Sequence, residues 1–84
     1  MMINLTYTQR SIRDLRKLES PTRLRIGKAL FRFREDPLKY AEKITDHTLG
    51  SYRFRIGDYR VIFDLQGEEI VVLRVGHRRE IYRR

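Results

Sequence analysis

The run Tyr52–Phe63, YRFRIGDYRVIF, constrains the fold of this chain more than any other stretch. Aromatic and β-branched residues alternate with arginines on both sides of Gly57-Asp58, and two such runs separated by a glycine-containing pair read as a β-hairpin with a two-residue turn. With Gly57 and Asp58 as the central residues, Ile56 faces Tyr59, Arg55 faces Arg60 and Phe54 faces Val61. Successive side chains of a strand point to opposite faces. This register therefore gathers Tyr52, Phe54, Ile56, Val61, Phe63 and Leu65 on a core side and Arg53, Arg55 and Arg60 on the other. A further run, EIVVLRV, follows a turn around Gln66-Gly67 and completes an antiparallel meander of three strands. Residues 66–68 accommodate a turn of two or three residues, and that parity leaves the face of Arg74 open.

The front half reads differently. Ile3, Leu5 and Tyr7 alternate with Asn4 and Thr6 as a short first strand. Thr8 then caps a helix with Ile12, Leu15 and Leu18 on one side and Arg10, Arg13, Arg16 and Lys17 mostly on the other. Ser20-Pro21 starts a second helix, the serine side chain as cap, whose Ile26, Ala29, Leu30 and Phe33 fall at i, i+3, i+4, i+7. Asp36-Pro37 ends it, because a proline disfavours helical geometry in the residue before it. The two helices form a hairpin joined near Glu19, and residues 35–51 read as a loop with one helical turn around Leu38–Lys43. The expected fold is α+β: an N-terminal strand, a helical hairpin and the C-terminal meander, with one sheet packed on the helices. At 84 residues the whole of 1–84 is expected to be a single domain, since domains run from about 50 to 250 residues.

Charge narrows the function. Lys and Arg number 19 against 11 Asp and Glu, a formal net charge of +8 in which arginine dominates. Guanidinium forks match phosphate oxygens and stack on bases, so this surface favours nucleic acid over an acidic protein. Arg55 opposite Arg60 is a like-charged cross-strand pair, tolerable if the side chains splay into water, pair with an acid or meet a polyanion. Just past the sheet, Gly76-His77-Arg78-Arg79-Glu80-Ile81-Tyr82 adds an imidazole, two guanidiniums and a phenol, groups suited to proton transfer, charge stabilisation and base stacking. His47 stands alone in the loop and carries little.

Other chemistries are disfavoured. The chain has no cysteine, hence no disulfide framework and no thiolate, which points to the cytoplasm. No apolar run approaches the roughly 20 residues of a membrane span, and the N-terminus lacks a signal-peptide pattern. Two histidines thirty residues apart, no clustered carboxylates and no glycine-rich nucleotide loop argue against a metal or any cofactor.

With YRFRIGDYRVIF followed by EEIVVLRVGHRREIYR, the chain resembles the RelE/ParE superfamily of toxins from toxin–antitoxin operons. The likeness extends over nearly the whole chain and is weakest from Tyr40 to Ser51. For RelE-like members it implies a metal-independent endoribonuclease acting on messenger RNA, often in the ribosomal A site. Arg53 and Arg55 stand where such enzymes carry lysine or arginine, Arg60 follows the tyrosine of the next strand, Arg78 follows Gly-His, and Tyr82 lies near the C-terminus. These five are the implied catalytic residues, with Arg74, His77, Arg79 and Arg83 as RNA contacts. The implied reaction is attack of a ribose 2′-hydroxyl on its own 3′-phosphate to leave a 2′,3′-cyclic phosphate, with Tyr82, or else His77, taking the proton. The resemblance also implies an acidic antitoxin bound in a hetero-oligomer. ParE-like members poison DNA gyrase instead, and a non-catalytic binding module is the third reading.

Overall fold

The structure, a computed structural model, describes residues 3–45 and 48–82. In chain order the elements are β1 (Asn4–Tyr7), α1 (Gln9–Arg16), α2 (Ser20–Phe33), α3 (Pro37–Tyr40), β2 (Ala41–Lys43), β3 (Tyr52–Ile56), β4 (Tyr59–Gln66) and β5 (Glu69–His77). The strands form one sheet in the order β1-β5-β4-β3-β2, with β1 parallel to β5 and the other pairs antiparallel. The expected α+β layout is thus the observed one. Among the described residues, no helix is long and apolar enough to cross a membrane.

The β3–β4 hairpin has the expected register: Ile56 pairs with Tyr59, Arg55 with Arg60 and Phe54 with Val61. Gly57 and Gly67 both have φ of 59° and each is the first residue of a two-residue turn. That is the position where a II′ hairpin needs a residue free of the Cβ penalty. One face of the meander packs Phe54, Ile56, Val61, Phe63, Ile70, Val72 and Val75 against Ile26, Ala29, Leu30 and Phe33 of α2. The four predicted α2 positions are all buried.

Several expectations are corrected. Glu19, not Ser20, is the N-cap of α2; Ser20 and Pro21 are already helical, and the Ser20 hydroxyl accepts from Arg23 Nη2 at 3.2 Å. In α1 the buried residues are Ser11 and Asp14, with Leu15 and Leu18 beside them and Ile12 exposed, so the buried stripe is rotated and partly polar. Thr8 caps α1 as expected, its Oγ1 accepting from Ser11 N at 3.1 Å. The loop is shorter than expected: its helical turn is Pro37–Tyr40, and Ala41–Lys43 is a strand rather than the end of that turn. The arginine face of the sheet carries its own apolar cluster, in which Ile62, Ile44 and Ile81 are buried against Leu49, Leu73 and Tyr82.

Gly50 has φ of 152°, and a Cβ built on it lies 2.7 Å from Ile62 Cγ2 and 2.9 Å from Leu73 Cδ1. The loop closes over this second cluster only because nothing projects from Gly50. Gly50→Ala is therefore expected to destabilise by about 2 kcal/mol, within the usual range for overpacking. A urea unfolding midpoint lowered with unchanged slope is the measurement that checks it.

Candidate active site

The β3–β4 turn and the segment after β5 assemble the site together. Arg53, Arg55 and Arg60 share a face by register. After β5 the chain makes one helical turn, closed by the His77 carbonyl accepting from Glu80 N and Ile81 N at 2.9 Å each. This turn drops Ile81 onto Ile62, between the arginines. The burial of Ile81 anchors the segment, which sets Tyr82 against Arg53 on the arginine face and Arg78 beside the β3–β4 turn.

At one end, Arg60 and Arg78 are both tied to the β3–β4 turn. Arg60 is 8% exposed, not splayed into water as a solvent-facing patch would require, and its Nη1 donates to Gly57 O at 2.8 Å and Tyr59 O at 2.9 Å. These bonds use one guanidinium nitrogen and leave the others to meet an anion. The Arg78 backbone N–H donates to Asp58 O at 2.8 Å, and Arg78 Nε lies 3.7 Å from Asp58 Oδ1 with both side chains exposed.

At the other end, Arg53 Nη1 donates to the Tyr82 hydroxyl oxygen at 2.7 Å, and the guanidinium lies 5.7 Å from the centre of the Tyr82 ring. That hydrogen bond is the largest of the effects raising the Arg53 pKa above the ordinary arginine value; partial burial opposes it, and Glu42 adds to the rise. Arg53 is thus a fixed cation and not a proton acceptor. Arg53 and Tyr82 open onto a cleft of about 390 Å³, shared with Lys43, Ile44, Thr45 and Leu49.

Between the two ends stands a residue absent from the sequence reading. Glu42 of β2 pairs with Arg53 across the strands, and its Oε1 lies 3.3 Å from Arg53 Nε and 2.7 Å from Arg55 Nε. The like-charged arginines are thereby relieved by an acid. No signal in the sequence marked Glu42, because Ala41-Glu42-Lys43 has no alternation to announce a strand.

The remaining predicted contacts lie elsewhere. His77 pairs with Tyr59, which packs on the helix side of the sheet, and the two rings meet edge to face at 5.6 Å. Its Nδ1 accepts from Arg79 N at 3.1 Å, while the Arg79 side chain is exposed and makes no ion pair with a described residue. Arg74 is turned to α1, its Nε donating to Asp14 Oδ2 at 2.8 Å. Arg74, His77, Asp14 and Lys17 line a second cleft of about 330 Å³ at the β5 edge beside α1. Arg83 and His47 lie outside the described residues. The structure thus brings Arg53, Arg55, Arg60 and Tyr82 to one face with Arg78 at its β3–β4 turn; Arg74 pairs with Ile62 on that face but its guanidinium is held by Asp14 at the β5 edge, and His77 lies on the other face.

Asp14 was also missed, although a signal for it existed: Ser11, Asp14, Leu15 and Leu18 follow i, i+3, i+4, i+7. Where β1 ends, α1 takes over the edge of β5. There Asp14 Oδ2 accepts from Val75 N at 3.0 Å as well as from Arg74, doing for the strand edge what a neighbouring strand would do.

Comparison with known proteins identifies the family and agrees with the fold. Residues 5–82 match the family model described as the ParE toxin of the type II toxin–antitoxin system parDE. Toxin RelG of Mycobacterium tuberculosis is 33% identical over 89 residues, covering 100% of both chains. Among solved structures, the fold superposes on a chain of the M. tuberculosis toxin–antitoxin complex RelBE2 with a TM-score of 0.83, at 24% identity over 92% of this chain and 99% of that one. A chain of the RelB–RelE antitoxin–toxin complex of Methanococcus jannaschii gives 0.71, at 27% identity over 92% and 94%. With a family model spanning the sheet, the helices and the C-terminal turn, and a relative alike from end to end, the chain belongs to the ParE toxin family, and so to the RelE/ParE superfamily of toxins of type II toxin–antitoxin systems.

Proposed function

We propose that this toxin is a metal-independent endoribonuclease that cuts messenger RNA in the ribosomal A site, in the cytoplasm, and is silenced by an acidic antitoxin bound in a hetero-oligomer. The observation that carries the reading is a sheet face that holds Arg53, Arg55 and Arg60, with Arg78 at its β3–β4 turn and the Tyr82 hydroxyl held by Arg53 at 2.7 Å. An antitoxin is the partner that goes with a type II system, and a net charge of +8 suits an acidic one.

In this reading Arg60 and Arg78, both tied to the rigid β3–β4 turn, grip the scissile phosphate and neutralise the charge growing on its oxygens. The 2′-hydroxyl oxygen attacks the adjacent phosphorus, the bond to the 5′-oxygen breaks, and a 2′,3′-cyclic phosphate remains. Arg53 and Arg55 position the RNA backbone. The 2′-hydroxyl proton passes to the Tyr82 oxygen in its phenolate form, whose orientation Arg53 sets, and the departing 5′-oxygen takes a proton from water. His77, on the opposite side of the sheet, is the weaker candidate.

The test is Tyr82→Phe beside His77→Ala. Removing a positioned base costs about 10²–10⁴ in rate. Tyr82→Phe is therefore expected to slow cleavage about a hundredfold and His77→Ala to leave it nearly unchanged, with cyclic phosphate ends and full activity retained in chelator. Full activity of Tyr82→Phe sinks the assignment. The alternative reading, inhibition of DNA gyrase, is favoured by the ParE description of the matching family; cleavage complexes accumulating on purified gyrase would select it. RNA binding that weakens with salt but never yields product would select a non-catalytic binding module.

A further inference from the structure

We infer that Glu42 occupies, in the free toxin, the place that an RNA phosphate takes on Arg53 and Arg55, so that substrate must displace an internal carboxylate in order to bind. The inference rests on the ribonuclease reading of this face. Two guanidiniums from alternate positions of β3 meet at the single oxygen Oε1: Arg53 Nε–H donates to it at 3.3 Å, and Arg55 Nε lies 2.7 Å away as an ion pair. A non-bridging phosphate oxygen asks for the same arrangement: an anionic acceptor between two charged donors. The geometry comes from the backbone, since β2 pairs Glu42 directly with Arg53 while Ala41, its neighbour, pairs with Phe54 on the core side.

The contact is built to be lost. Glu42 is 45% exposed and Arg55 57% exposed, and ion pairs at such exposure are weak because water and salt screen them. Arg53 stays anchored after the carboxylate leaves, because its Nη1 bond to Tyr82 does not involve Glu42. Displacement would therefore free two guanidiniums already gathered at one point, without disturbing the phenol. Until RNA arrives, Glu42 offsets the repulsion of Arg55 against Arg60 and lowers the pull of the face on anions that are not substrate. Glu42 acts through the arginines and is a positioning residue.

The experiment measures binding of a fluorescent 2′-O-methyl RNA, which lacks the attacking hydroxyl and cannot be cut, to wild type, Glu42→Gln and Glu68→Gln. Glutamine keeps the length and an acceptor but removes the charge. Glu68 lies in the β4–β5 turn at the far end of the meander, so its replacement makes the same change in net charge away from the arginines. Glu42→Gln is expected to tighten binding about three- to fivefold, the scale on which an exposed ion pair competes. Its salt dependence should be steeper by about 0.7 in log–log slope for each further phosphate neutralised. Glu68→Gln should match wild type. If wild type binds the RNA and Glu42→Gln binds no tighter, or if Glu68→Gln tightens equally, the inference is overturned while the ribonuclease reading stands. If wild type binds no RNA, the inference is overturned, and the ribonuclease reading is judged separately by cleavage of ribosome-bound message. Cleavage of ordinary RNA at saturation gives a separate check: a Glu42→Gln rate that collapses and loses its pH dependence would assign proton transfer to Glu42 and also overturn the inference.

Discussion

Arg78→Ala is expected to lower the rate of RNA cleavage by about 10²–10³-fold, the usual cost of deleting one group that stabilises charge in a transition state, and to leave folding nearly untouched. The two halves of that expectation have separate causes. The Arg78 side chain is 52% exposed, and its one ion pair, to Asp58, is long at 3.7 Å; pairs of that kind add about 0–1 kcal/mol to stability. The backbone N–H that ties the segment to Asp58 O survives the substitution, as does the burial of Ile81. Single-turnover cleavage and a melting curve on the same preparation check both halves. Arg60 is a less clean test, because its guanidinium is buried and holds two carbonyls of the turn. Arg60→Ala should cost activity and stability together.

Asp14→Ala is expected to destabilise the fold by about 3 kcal/mol, the cost of removing one partner from a buried charged pair. For a domain of this size that corresponds to a fall in Tm of roughly 12–24 °C. The carboxylate, with 7% of its side chain exposed, is held by Arg74 Nε and Val75 N at once. Its loss leaves a strand-edge N–H without an acceptor and a half-buried guanidinium without a counter-ion. Asp14→Asn should cost less, since the amide oxygen still accepts from Val75. Thermal unfolding of both variants checks the order; an Asp14→Ala protein as stable as wild type would mean that the edge of β5 is closed by something other than this side chain.

The same residues show what could and could not be read from the sequence. The β3–β4 register was legible because a two-residue glycine-containing turn after the strictly alternating YRFRI run admits few pairings, and the family motif spans that hairpin and the C-terminal turn. β2 was not, because three residues with one apolar member carry no period; with β2 went Glu42, so the acid that relieves the paired arginines stayed hidden. Arg74 could not be assigned to a face by counting from the turn, because a bulge at Ile62/Phe63 sets Leu73 and Arg74 together opposite Ile62 and flips the parity after Val72. The arginine face looked wholly polar because Ile62 was one apolar residue among charges. Its partners Ile44 and Ile81 come from segments without regular pattern and meet it only in three dimensions.

The central claim, that the arginine face cuts RNA, is tested most directly by primer extension on a defined messenger RNA incubated with the purified toxin, with and without translating ribosomes, beside Arg78→Ala. The account predicts cuts by the wild type on ribosome-bound message that fade by two to three orders of magnitude in the variant, in line with the transition-state role of Arg78. Intact message in both settings, together with gyrase cleavage complexes formed by the same preparation, would contradict it.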